Sequence, residues 1–250
     1  MRYAIVSDIH SNVIALGAVL ADIEARSIEH VLCLGNIFGV GPAPVECLES
    51  VQERCFLCLM GSSDYGFWRQ AVHTNSALGR SLEWSRARIE ASASGALTRC
   101  GEFLARLPER YDKNGISFVH GSPRDPVGEP LFAEDCARNP RKLLESFKLF
   151  EKVLFVGHTG VPGTFSEDLR FTPAVALEEH YHYRKGEKVI INVGSVGHSR
   201  DGDARASYVE IDKNHMYWHR VGWDVDGVAR AIEAEPCLAS SYARRVREAY

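Results

Sequence analysis

An α/β fold, with a largely parallel sheet and a second, more antiparallel one packed on it, is what this 250-residue sequence predicts. Three observations predict it. Short apolar runs of strand length alternate with stretches of helical period up to about Gly160, the pattern of βαβ units. Five of those runs end in small, polar turns, at Asp8, Asn36, Ser62, His120 and His158. Beyond Gly160 the pattern changes to paired short runs around turn residues, as in hairpins.

Each element follows from local chemistry. Residues 2–6 form an apolar run of buried-strand length, and Ser7-Asp8-Ile9-His10-Ser11-Asn12 is the turn that ends it. The period then becomes helical to about Arg26, with Ala15, Leu16, Val19, Leu20 and Ile23 as the apolar stripe. Residues 30–34 are the next buried strand and stop at Gly35-Asn36. Residues 43–54 read as a helix, with Pro44 tolerated in its first turn. Residues 55–60 read as a third strand, followed by Gly61-Ser62-Ser63-Asp64. The stretch 67–107 is helical, a cap over the sheet, with breaks expected near Gly79 and Ser94-Gly95.

Residues 116–119 are a strand running into His120-Gly121-Ser122-Pro123. Residues 134–150 are mostly helical with a break at Asn139-Pro140, and 152–156 form a strand ending at Gly157-His158-Thr159-Gly160. Strands and turns are expected over 163–177, and a hairpin pairs 179–183 with 187–192. A Gly-rich turn spans 192–197, and a second hairpin pairs 207–211 with 215–221. Asp224 caps a helix over 225–235, and 238–250 is a basic helical tail carrying Arg244, Arg245 and Arg247. The division expected is one domain over 1–224 and a C-terminal helical extension over 225–250.

The composition is that of an ordinary soluble chain, 45% apolar and 25% charged. A net charge of -4 provides no general attraction to nucleic-acid polymers or anionic membranes. The chain enters its first strand with no signal-peptide pattern, and seven cysteines, an odd number, read as reduced thiols of a cytoplasmic protein. Cys55 and Cys58 have C-x-x-C spacing, but inside a strand such residues face opposite sides, so buried thiols are expected rather than a metal site.

The carboxyl ends of parallel strands share one edge, so the five turns should converge on one cleft. Asp, His and Asn are side chains that bind divalent cations. One such turn alone reads as a helix cap or a turn glycine; five in this order do not.

These segments, with Cys33-Leu34-Gly35-Asn36, Asn192-Val193-Gly194-Ser195-Val196-Gly197 and the stretch 199–208, resemble a calcineurin-like metallophosphoesterase of the small bacterial phosphodiesterase type. The resemblance covers about residues 1–224. It implies a four-layer α/β/β/α sandwich, two mixed sheets flanked by helices, and a two-metal cleft that hydrolyses phosphoesters. It also implies the ligand pattern Asp-x-His, Gly-Asp, Gly-Asn-His-Asp, His and Gly-His-x-His.

Asp8, His10, His120 and His158 keep that pattern. The bridging Asp is Asn36, the amide ligand is Ser62, the proton-donating His is Ser63 ahead of a retained Asp64, and the last His is Gly160. Two divalent cations at close range repel strongly, and anionic bridges offset that repulsion. The expectation is therefore at most one divalent metal (Mn, Fe, Zn or Mg), weakly held among Asp8, His10, Asn36, His120 and His158, or none. Asn12, Ser62, Arg124 and Arg200 are the candidate contacts to a small phosphorylated molecule. Hydrolysis is expected to be weak or lost; the alternative is a non-catalytic phosphate- or nucleotide-binding or regulatory protein on the same fold. His73, His180, His182 and His198 are candidate replacement ligands, each read first as a surface histidine. The basic tail could dock on an acidic neighbour, including a second copy in a homo-oligomer, although a solvated helix is its simpler reading.

Overall fold

The fold is known from a computed structural model, which describes residues 2–70 and 75–249. The element order begins β1 (Arg2–Val6), α1 (Val13–Ala25), β2 (His30–Cys33), α2 (Pro44–Arg54), β3 (Leu57–Cys58), α3 (Ser62–Arg69), α4 (Ala77–Ser92) and α5 (Ala96–Leu104). It continues β4 (Arg110–Lys113), β5 (Ile116–Val119), α6 (Asp135–Arg138), α7 (Pro140–Phe147), β6 (Val153–Val156), β7 (Gly163–Ser166) and β8 (Phe171–Pro173). A 3-10 turn at Ala174–Leu177 precedes β9 (His180–His182), β10 (Val189–Asn192), β11 (Ala206–Asp212), β12 (His215–Val221), α8 (Val225–Ala234) and α9 (Ser240–Glu248).

Twelve strands form two six-stranded mixed sheets among the described residues, in the orders β3-β2-β1-β11-β12-β9 and β4-β5-β6-β10-β7-β8. Apolar side chains separate four layers. Ile5, Leu32, Phe118, Phe155, Ile191 and Trp218 fill the space between the sheets. Leu16, Val19, Val51 and Leu82 bury the outer face of the first sheet under α1, α2 and α4. Leu143 and Phe147 of α7 cover the second sheet. This is the α/β/β/α sandwich, and the strands buried on both faces are the near-continuous apolar runs of the sequence. No helix among the described residues is long and apolar enough to cross a membrane.

Several local expectations need correction. The hairpin expected between 179–183 and 187–192 does not form: β9 pairs with β12 in the first sheet, while β10 lies between β6 and β7 in the second. The β11–β12 hairpin likewise joins the first sheet through β1 rather than a separate antiparallel sheet. The antiparallel strands therefore complete both sheets. Turn chemistry signals reversal of the chain but not the sheet it returns to.

The strand expected over 55–60 is two residues long. Cys55 N–H closes α2 onto Val51, and Met60 N–H leaves the ladder for the Pro108 carbonyl. Cys55 thus lies outside the strand, and its thiol is an electrostatic neighbour of Cys33 and Cys58. Burial, foremost, pushes the Cys55 thiol well up; a hydrogen bond with Cys33 and then burial do the same for Cys58, which keeps both protonated.

Helix begins at Ser62, earlier than expected, and Gly79 sits in the first turn of α4 behind the Ser76 cap instead of breaking it. The break at Gly95 is real, with φ 72. Strand β4 has no counterpart in the expected elements. It turns into β5 through Asn114-Gly115, both at positive φ, the two-residue hairpin turn that would have revealed it.

Candidate active site

The five polar turns do meet, but from two sheets. Those after β1, β2 and β3 belong to the first sheet, and those after β5 and β6 to the second. Backbone bonds join them in pairs: Asp8 N–H to Gly35 O at 3.0 Å, His10 N–H to Asn36 O at 2.9 Å, and Gly157 N–H to His120 O at 2.9 Å. The loop after β10 closes the site from behind, with Val196 N–H on Ser7 O and Gly197 N–H on Asp8 O, both 2.9 Å. Asp8, His10, Ser11, Asn36 and His158 all hold left-handed backbone, φ 51 to 68. That conformation is costly for non-glycine residues and collects where the surroundings over-determine it.

Asp8 is the electrostatic centre, 1% exposed. Its Oδ2 accepts from Ser7 Oγ and from the His158 backbone N–H, both at 2.8 Å. Its Oδ1 accepts from Asn36 Nδ2 at 2.8 Å and lies 3.5 Å from His10 Nε2. Burial alone would raise its pKa, but the hydrogen bond from His10 and the fields of His120, His10 and His158 hold it far below the usual range. The carboxylate is ionised at any physiological pH.

Asn36 decides what this carboxylate can hold. Its Oδ1 accepts from the Ser63 backbone N–H at 2.8 Å, a donor that cannot be reversed, and from Ser63 Oγ at 2.7 Å. This fixes the amide: oxygen toward α3, NH2 toward Asp8. At the position where the resemblance implies a bridging Asp, the side chain therefore presents a hydrogen-bond donor to the carboxylate, where a metal bridge needs an anionic oxygen. Ser62 Oγ lies 3.4 Å from the same Oδ1 and 3.5 Å from His120 Nε2.

Among the described residues, no group of three or more His, Cys, Asp or Glu is disposed to hold a metal ion. The residues present do not fit a pair of cations.

His120 is fully buried, and His10 and His158 are partly buried beside it. His120 and His158 stack with ring centroids 4.7 Å apart. Burial, opposed by Asp8 and reinforced by the neighbouring His158 and His10, pushes His120 down to about 3. Asp64, fully buried, is driven the other way: desolvation raises it to about 6 despite hydrogen bonds from the Phe38 and Gly61 backbones.

The remaining sequence candidates separate cleanly. Asn12 is not available to substrate, because its Oδ1 caps α1 on Ala15 N–H and its Nδ2 donates to Gly197 O. Arg124 is held by Glu145 at 2.6 Å and Glu129 at 3.5 Å, an ion pair rather than a phosphate contact. Arg200 does stand at the site: its N–H bonds Gly160 O at 3.1 Å, and its chain would lie 3.3 Å from a Cβ on Gly160. His180 and His182 share a face as expected, but on β9, at the far edge of the first sheet, where they stack on His215. His73 lies outside the described residues.

His198 corrects the surface reading given to it. It is 3% exposed, its ring lies 5.8 Å from that of His10, and neither of its ring nitrogens has a partner. Burial pushes it down to about 3, with His10, Arg200 and Arg245 opposing its protonation. Tyr242 of α9 closes over it at 6.3 Å, and Arg245 lies over that ring. Thus α9 reaches the rim of the cleft with Tyr242 and with Arg245, which the sequence placed in the basic tail and not at the cleft. No local signal marks them; only packing brings residues forty positions apart together.

The loop at Gly39 leaves no room for a side chain, since a Cβ there would press on His10 Nδ1 and stand 2.8 Å from its Cγ and 2.9 Å from its Cα. Gly39→Ala is expected to displace the His10 ring and destabilise the fold by about 2 kcal/mol. Chemical denaturation and the His10 ring resonances check this; an unshifted ring would contradict it.

Chemically, the cleft combines one fixed anion, a set of clustered imidazoles and cationic guanidinium groups at its rim. A model of the calcineurin-like phosphoesterase superfamily domain matches residues 1–214. The chain is 30% identical to a metallophosphoesterase from Sphaerobacter thermophilus, over 100% of both chains, with a TM-score of 0.80. It is 31% identical over 217 residues to the uncharacterized protein MJ0912 of Methanocaldococcus jannaschii, covering 84% of this chain and 82% of that one. The hypothetical protein PH1004 from Pyrococcus horikoshii shares the fold at a TM-score of 0.75 and 19% identity, covering 98% of this chain and 97% of that one.

Proposed function

This chain belongs to the calcineurin-like phosphoesterase superfamily, and we propose that within it the protein is a phosphoesterase of much reduced hydrolytic power. Its substrate is a small phosphorylated molecule, and it holds at most one divalent cation, at Asp8 and His10. The observation that carries this reading is the fixed amide of Asn36, which turns its NH2 to Asp8 Oδ1 and spends its oxygen on Ser63. With no anion at position 36, a second cation beside the first meets unscreened repulsion. Ser63 cannot replace a proton-donating imidazole either, because its hydroxyl sits between the Asn36 and Phe38 oxygens and has no acidity near neutral pH. Positioned general acids are typically worth about 10²–10⁴ in rate.

The test is hydrolysis of bis(p-nitrophenyl) phosphate with Mn²⁺. The parent protein is compared with a variant carrying Asn36→Asp, Ser62→Asn, Ser63→His and Gly160→His. The last change costs about 1 kcal/mol, since Gly160 has φ 71, so circular dichroism must confirm the fold. The restored protein is expected to be about a hundredfold faster. Parent activity equal to that of the restored protein would overturn the reading.

A further inference from the structure

We propose that a second site, at the opposite end of the sandwich, binds a medium-chain carboxylate, its tail between the two sheets and its head on Lys113 and Lys213. A cavity of about 360 Å³ opens there. Its floor is Ile5, Leu32 and Ile211 of the first sheet against Ile116 and Phe118 of the second. These residues belong to, or pack against, the inter-sheet core, so the cavity is an opening in that core rather than a surface dimple. It is lined by Tyr3, by the β4–β5 turn and by Lys213 of the β11–β12 turn, beside the amino end of β1, whereas the candidate active site lies beyond the carboxyl ends of β1 and β2. The edges explain why it is open: β3 is two residues long and β4 four, and Phe56, just before β3, stays half exposed.

The walls select the ligand. The floor is aliphatic and aromatic and would reject a free phosphate or a sugar, which leave their polar atoms unpaired there. The mouth carries two ammonium groups. Lys113 Nζ reaches Tyr3 Oη at 3.1 Å and spans the gap between the sheets, and Lys213 projects from the β11–β12 turn. Neither lysine has an ion-pair partner among the described residues. Asp112, next to Lys113, is taken by Arg110 and Ser117, Glu151 is beside Lys152, and Asp212, next to Lys213, makes no ion pair with either lysine among the described residues. An apolar chamber under two unpaired cations is complementary to an amphiphile with one anionic end. The volume falls at the lower end of the range for small-molecule sites, about 300–1,000 Å³, which suits a medium rather than a long acyl chain. This site does not depend on the phosphoesterase reading.

Isothermal titration with decanoate below its micelle concentration tests the proposal, with decan-1-ol and inorganic phosphate as controls on the same metal-free protein. The expected result is saturable one-to-one binding of decanoate, at least tenfold tighter than decanol and unaffected by phosphate. The double variant Lys113→Gln, Lys213→Gln should lose about tenfold in affinity while keeping its far-ultraviolet spectrum, because both side chains are exposed. Ile211→Phe, which fills the chamber, should abolish binding. Equal affinity for the alcohol, undiminished binding to the lysine variant, or displacement by phosphate would each overturn the proposal. So would the absence of saturable binding.

Discussion

Asn36→Asp should lower the stability of the metal-free protein by about 4 kcal/mol and make its melting temperature rise with added Mn²⁺. The parent Asn36 donates to Asp8 Oδ1 at 2.8 Å in a site that is 1–3% exposed. A carboxylate there would face a second carboxylate at hydrogen-bond distance with no water between them. Both cannot ionise, so one must hold a proton at pH 7. Lifting a carboxyl pKa by about three units costs about 4 kcal/mol at 1.36 kcal/mol per unit. In a chain of this size that corresponds to a fall of about 10 °C in Tm.

The Oδ1 bonds with Ser63 survive the change, so the loss reports the charge and not a broken loop. A divalent cation relieves the repulsion and stabilises by binding the native state alone. Thermal melts in EDTA and in Mn²⁺ measure both effects. A variant as stable as its parent in EDTA would mean that Asn36 is not the donor described, and the account of the lost bridge would go with it.

Acidification should destabilise the parent protein strongly between pH 6.5 and 4. His120 and His198 titrate near 3 in the folded chain and near 6.5 when unfolded. In that window the unfolded chain binds two protons that the native chain does not, so stability falls as pH falls, by about 3.4 kcal/mol per histidine at pH 4.

Asp64 acts in the opposite sense. Its folded pKa is about 6 against 3.8 unfolded, so the native chain binds its proton first and regains about 2.4 kcal/mol on going down to pH 4. The net loss is about 4 kcal/mol. Asp8, whose pKa is depressed, adds its own loss only below about pH 4. Urea unfolding at a series of pH values gives the curve. His198→Gln should remove roughly half of the histidine contribution, and Asp64→Asn should steepen the net slope. A flat profile would mean that these imidazoles are solvated.

Much of the fold was legible because its determinants are local. The apolar runs at β1, β2, β5 and β6, the cap at Asp224 and the break at Asn139-Pro140 all stand where period and capping chemistry put them. β4 was missed although Asn114-Gly115 announces it, because a half-exposed strand of alternating charge carries no apolar run. The division of the late strands between two sheets was not legible. Nothing local in those strands names the sheet they join, and long-range packing chooses.

At the cleft, the sequence by itself determined which side chains stand at the strand ends and which of them differ from the pattern that the resemblance implies: Asn36 for Asp, Ser62 and Ser63 for Asn and His, Gly160 for His. Substitution is a property of single positions, visible without neighbours. Only the tertiary structure decided what the survivors do. The backbone N–H of Ser63 orients the Asn36 amide from 27 residues away, Gly197 occupies Asn12 from 185 away, and Tyr242 closes over His198. Hydrogen-bond direction and desolvation depend on which atoms are adjacent in space, and adjacency across the chain is set by the packing of two sheets.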